Sequence, residues 1–127
     1  MRNEVKILPR EKFKHGRHAP AFIMLFLAQE PAYGLTLLNK MEKYIPYNKI
    51  DSAAIYRTLQ NLEQEKLVES YWDTAEPGPA KKWYKITVSG LNKLTEYKND
   101  IEMRMKGFQF FLNSYEEIIK KQGDDIE

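Results

Sequence analysis

The stretch 52–73, SAAIYRTLQNLEQEKLVESYWD, changes its hydrophobic period part-way along, and that change decides the fold. From Ser52 to about Lys66 the apolar residues Ile55, Leu59 and Leu62 recur at spacings of four and three, as on one buried helical face. Ala53, Tyr56, Arg57, Gln60 and Gln64 fall on another face, with small residues near its start, then a tyrosine, an arginine and amides. Plain solvation would place lysine and glutamate there. Asp51 or Ser52 can cap this helix by accepting from its free N–H groups. From Leu67 to Asp73, β-branched and aromatic residues mix with polar ones, which predicts a strand.

Downstream, Thr74 to Ala80 contains Pro77, Gly78 and Pro79, strong turn punctuation. Lys82 to Thr87 alternates again, with Trp83 opposed to Tyr84 and Ile86, so the two strands form a hairpin with a protruding loop. Upstream, Pro20 suits the first turn of a helix that is apolar almost all round from Phe22 to Leu27. That helix ends near Gln29, because Pro31 disfavours helix at the residue before it. A second helix fits Tyr33 to Tyr44, with Leu37, Leu38, Met41 and Tyr44 at helical spacing, and Pro46 stops it. From Val88 to about Gln122 the residues Leu94, Tyr97, Ile101, Met105, Phe108, Leu112, Tyr115 and Ile119 step by three or four. Gly107 inside this helix costs up to about 1 kcal/mol against alanine, and a bend or close contact there is open. A seam this long has no cover on a small domain, so pairing with a second copy is expected.

The fold class is therefore mainly α with a small β-hairpin: a winged helix-turn-helix domain plus a long C-terminal dimerisation helix. The expected division is a basic arm over 1–18, the winged domain over 19–87, the dimerisation helix over 88–122 and an acidic tail over 123–127. The arm carries Lys6, Arg10, Lys12, Lys14, His15, Arg17 and His18 against Glu11, while the tail holds Asp124, Asp125 and Glu127. The net charge of +2 says little by itself, whereas 43% hydrophobic and 13% aromatic residues provide for a core. No cysteine is present, which excludes disulfides, thiol catalysis and thiolate zinc sites. His15 and His18 read as arm residues, so no metal and no cofactor is expected. The longest apolar run, Ala19 to Ala28, is too short to span a bilayer and lacks a secretory pattern, so a cytoplasmic protein with no membrane partner is expected. No nucleophile with an adjacent base, no paired carboxylates and no glycine-rich phosphate loop argue for an enzyme.

In a winged helix-turn-helix the third helix enters the major groove of double-stranded DNA and the hairpin loop touches the neighbouring backbone. Ser52 and Ala53 are small enough to let the helix start approach the duplex, where its N–H groups favour a phosphate. Arg57 can bond guanine or reach a phosphate, and Gln60 can read adenine. Lys81 and Lys82 beside the wing supply charge to the backbone. Tyr56 either contacts DNA or packs on the domain. Tyr33 either packs the second helix or reaches a phosphate with its hydroxyl.

Three segments carry a family resemblance: Pro31-Ala32-Tyr33-Gly34-Leu35; Ala54-Ile55-Tyr56-Arg57-Thr58-Leu59 with Leu62-Glu63; and Gly78-Pro79-Ala80-Lys81-Lys82-Trp83-Tyr84-Lys85-Ile86-Thr87 with Gly90. In this order and spacing the chain from about Pro20 to Leu94 resembles the PadR-like transcriptional regulators, in their smaller subclass with a single C-terminal helix. The resemblance implies a homodimer, a DNA-reading tyrosine matching Tyr56, wing basic residues matching Lys81 and Lys82, and repression that a small molecule relieves in many members. One departure is Ala53, where members often have glycine. A flat apolar effector would rest on Trp72, Trp83, Phe108 and Phe111 near the junction of winged domain and tail. Alternatively, Phe108, Phe110, Phe111 and Tyr115 form a dimer core, and Trp72 and Trp83 are hairpin and core aromatics. The competing function is a winged-helix protein-interaction module, which would show an acidic or apolar recognition face.

Overall fold

The computed structural model describes residues 18–46, 50–75 and 77–126, and most of the predicted basic arm, 1–17, lies outside the described residues. Helix α1 (Ala19–Gln29) has Pro20 at its start and buries Ala19, Ala21, Ile23, Met24, Phe26 and Leu27, so it is covered on most sides. Helix α2 (Gly34–Tyr44) buries Gly34, Leu37 and Met41, and α3 (Ser52–Gln64) buries Ile55, Leu59 and Leu62. The core closes where these stripes meet Val68 of strand β2 (Val68–Asp73). Ile23, Met24, Leu37, Met41, Ile55, Leu59 and Val68 are the large side chains wholly removed from solvent. Each stabilises the fold by about 1.5–3 kcal/mol.

The ends of α3 show how its direction is fixed. Asp51 is the cap: its carboxylate accepts from the Ala54 N–H at 2.8 Å. At the other end Lys66 takes a left-handed conformation, φ 63°. Its N–H then reaches the Glu63 carbonyl at 3.0 Å while the Leu67 N–H reaches that of Leu62 at 2.9 Å. This closure satisfies helix-end carbonyls and turns the chain into β2. The helix therefore stops at Gln64, two residues before the expected end.

Strand β3 (Lys81–Ile86) runs antiparallel to β2, with Val68 opposite Ile86 and Asp73 opposite Lys81. A further two-residue strand, β1 (Ala32–Tyr33), pairs with the other edge of β3, giving the order β1-β3-β2. The sequence reading expected two strands and placed Tyr33 at the head of the second helix. Two residues are too few to show a period, and this strand exists because β3 is there to pair with it.

Thr87 caps α4 (Val88–Ile126) by accepting from the Gly90 N–H at 3.0 Å. The Leu67 carbonyl in turn accepts from the Thr87 N–H and hydroxyl, each at 3.0 Å. Helix α4 has 39 residues, so it is about 58 Å long. It continues through Gly123, Asp124 and Asp125, where an acidic tail was expected. A glycine and acidic residues near a C-terminus each disfavour helix by only about 1 kcal/mol or less, which does not end an established one. The chain divides into two compact units, one ending at Leu94 and one beginning at Thr95, so the first turns of α4 belong to the winged unit. Among the described residues no helix is long and apolar enough to cross a membrane.

Candidate nucleic-acid interface

Helix α3 is anchored by Ile55, Leu59 and Leu62, and its opposite side turns Ser52, Ala53, Tyr56, Arg57 and Gln60 to solvent. All five α3 residues predicted to contact DNA are thus exposed. Its start differs from expectation in one respect. The Asp51 carboxylate already engages the Ala54 N–H, one of the groups offered to a phosphate, and sets a negative charge beside it.

Between α3 and the sheet lies an open groove of about 580 Å³. Tyr56 and Gln60 line it from α3, Tyr33 and Gly34 from the start of α2, and Lys81 and Lys82 from β3. Residues far apart in sequence thus share one concave surface, and five of the eight predicted DNA-contacting positions, Tyr33, Tyr56, Gln60, Lys81 and Lys82, line it. Tyr56 is 52% exposed, so it both packs and faces outward. Its ring lies against Gly34 so closely that a Cβ on Gly34 would stand 2.6 Å from ring carbon Cε1 and 2.7 Å from the hydroxyl oxygen.

The two wing lysines stand on opposite faces of β3, as adjacent strand residues must. The Lys81 ammonium sits 4.7 Å from the centre of the Tyr33 ring and 3.5 Å from its hydroxyl. Tyr33 itself meets Trp83 edge-on at 5.2 Å, so it packs on the sheet. Lys82 lies 5.6 Å from the Tyr84 ring centre and 3.9 Å from the Glu63 carboxylate, whose other oxygen accepts from the Ser70 hydroxyl at 2.5 Å. Both ammonium groups are therefore held beside aromatic rings at the groove. The Tyr84 ring is buried, whereas Tyr33, Glu63 and the ammonium ends are partly exposed, and such contacts are each worth about 1 kcal/mol or less, so a phosphate can replace them.

The remaining predicted site residues are divided between the two units. Trp72 is 63% exposed and borders the groove, so it is not a core aromatic. Its register opposite Lys82 puts it on the other face of the sheet from Trp83, which stands opposite Tyr71. Phe108 and Phe111 belong to the second unit, beside Arg104, Gly107 and Phe110. Of the predicted seam, Leu94 and Ile101 are half-buried, whereas Met105, Phe108, Leu112, Tyr115 and Ile119 are 44–65% exposed. Sequence reasoning passed over Gly34, Glu63 and Tyr84 as functional positions. Only the adjacency of Gly34 to Tyr33 marked it, and its role depends on a tyrosine 22 positions later.

Comparison with known proteins bears on the fold that carries this groove. The family model "Transcriptional regulator PadR-like family" matches residues 23–96. A PadR-like transcriptional regulator of Bacillus cereus is 30% identical, with 74% of this chain and 90% of that one covered and a TM-score of 0.65. A PadR family regulator of Eggerthella lenta is 28% identical over 76% of this chain and 85% of its own, with a TM-score of 0.62. One from Clostridium difficile, at 21% identity, shares the fold with a TM-score of 0.68 over 75% of this chain and 98% of its own.

Proposed function

The chain belongs to the PadR-like family of transcriptional regulators, and from that premise we propose that it binds double-stranded DNA as a homodimer and represses transcription. As a member of that family it is a regulator and not an enzyme. The observation that carries the reading is the groove in which Tyr56 and Gln60 of α3 stand beside Lys81 and Lys82 of the wing. In this reading α3 enters the major groove, Tyr56, Arg57 and Gln60 read base edges, and the lysines, with Ser52, Ala53 and Tyr33, hold the sugar-phosphate backbone. The recognition face is neither acidic nor apolar, which disfavours a protein-interaction module.

The dimer is the second part of the proposal. Burying one large apolar side chain is worth about 1.5–3 kcal/mol, and five seam residues of α4 are open in a single copy. They are about half exposed, so covering them in two copies supplies about 7–15 kcal/mol, comparable with the cost of association, of order 4–15 kcal/mol. A two-fold pair presents two recognition helices, so the operator is an inverted repeat with half-sites about one helical turn, or a multiple of it, apart. Release by a flat apolar effector belongs to the same reading, with Phe108 and Phe111 as its surface. A melting temperature indifferent to a broad panel of planar aromatic compounds would leave those rings to the dimer.

The decisive test is binding to duplexes selected from a random pool, followed over a range of salt. Lys81→Ala should lower affinity for all sequences alike and reduce the salt slope by about one unit per lost phosphate contact. Lys82→Ala should weaken binding further, because it leaves the Glu63 carboxylate of α3 without its cation. Adding Glu63→Gln should recover that extra loss. Selection that yields no preferred duplex would overturn the DNA reading.

A further inference from the structure

We infer that Gly34 is a positioning residue for base reading: it is the seat of the Tyr56 ring. The inference rests on the DNA reading above and adds a residue to it. Gly34 is buried at the first position of α2, and its φ lies outside the left-handed region, so the backbone does not ask for glycine. Space does. The three nearest atoms that a Cβ would meet all belong to Tyr56, and they are the far end of its side chain: Cε1 at 2.6 Å, Cζ and the hydroxyl oxygen at 2.7 Å. No backbone atom is among them, so an added methyl group displaces the ring and leaves the fold in place. To regain ordinary contact at 3.4 Å the ring must move by about 0.8 Å. A recognition site tolerates about 0.5 Å, and a hydrogen bond spans a similar range, so this displacement takes the hydroxyl out of register with a base edge.

Tyr56 is half exposed and lies on the outward face of α3, with its ring seated on Gly34. Tyrosine has few rotatable bonds, so fixing one edge of its ring against α2 fixes the direction of its hydroxyl. The seat also links the two helices of the helix-turn-helix through the reading side chain itself. A glycine here thus serves specificity, while the wing lysines serve affinity.

The test compares four full-length chains: wild type, Gly34→Ala, Tyr56→Ala and the double variant. Each is titrated with the duplex selected by the wild type and with a scrambled duplex of equal length. Gly34→Ala should lose between roughly fivefold and a hundredfold for the selected duplex, the range of one lost base contact, and bind the scrambled one as before. In the Tyr56→Ala background the same substitution should change binding by less than twofold, because there is no ring left to displace. Should Gly34→Ala melt low, the double variant must recover the melting temperature if the ring is the sole obstacle. A Gly34→Ala chain that keeps full selectivity overturns the seat, as does a loss of equal size in both backgrounds or a melting defect that Tyr56→Ala does not relieve. A wild type without a preferred duplex would instead remove the DNA reading, and the seat's role with it.

Discussion

Replacing Gly90 by alanine tests how the winged unit passes into α4. A Cβ at Gly90 would lie 2.2 Å from the Leu67 carbonyl oxygen and 2.5 Å from Cγ1 of Ile86. Unlike the atoms facing Gly34, the first of these is backbone and has nowhere to turn. That oxygen accepts from the Thr87 N–H and hydroxyl, and the same hydroxyl oxygen caps α4 by accepting from the Gly90 N–H. Relieving the overlap opens both bonds to the carbonyl, at about 1 kcal/mol each, and the cap, at about another. Crowding of Ile86 adds about 1 kcal/mol at the lower end of the overpacking range, and alanine returns up to about 1 kcal/mol of helix propensity. The net loss is about 3 kcal/mol, a large part of a typical stability of about 5–15 kcal/mol. For a unit of this size it lowers the melting temperature by about 10–20 °C. Urea and thermal melts followed by far-ultraviolet circular dichroism at one fixed protein concentration measure it. Gly123→Ala, where a Cβ meets nothing within 4 Å, is the control and should match wild type or exceed it by no more than about 1 kcal/mol of helix propensity. Gly90→Ala melting alongside that control would refute the reasoning.

Lys66→Gly should raise stability by about 0.5–1 kcal/mol, because the left-handed backbone at φ 63° burdens lysine and not glycine, and melts would show no gain if that backbone is unstrained. Arg57→Ala should cost about 1–3 kcal/mol in operator affinity and relax preference at one position of each half-site; a correctly folded variant with unchanged affinity and preference would place the reading face elsewhere. Phe108→Glu with Leu112→Glu should give a folded monomer by sedimentation at micromolar concentration with weakened operator binding, whereas a monomeric wild type under the same conditions would refute the dimer.

The parts of this molecule legible in its sequence are those whose signal is repeated. Ile55, Leu59 and Leu62 state their helix three times over, and Pro77, Gly78 and Pro79 state their turn in three adjacent residues. What was not legible depends on a single residue meeting a distant one. Lysine seldom takes a left-handed backbone, yet Lys66 does so just past the end of α3, because the Leu67 N–H must reach the Leu62 carbonyl and the Leu67 carbonyl must then receive Thr87. Strand β1 is two residues long and owes its existence to β3. The same division runs through the candidate site. Tyr56, Arg57 and Gln60 share one helical face, so spacing alone sets them side by side. Spacing also holds Lys81 and Lys82 apart, since neighbours on a strand point to opposite faces, and reading them as one basic pair overlooked that period. Their separate surroundings, a tyrosine and tryptophan for Lys81 and a carboxylate of α3 for Lys82, arise only when β3 docks between β1 and β2. Chemistry carried on one helix is therefore written locally, whereas the setting that aims it is written in the residues of other elements. Gly34 is the clearest case: it has no side chain to suggest a role, and its importance lies in the room it leaves for Tyr56.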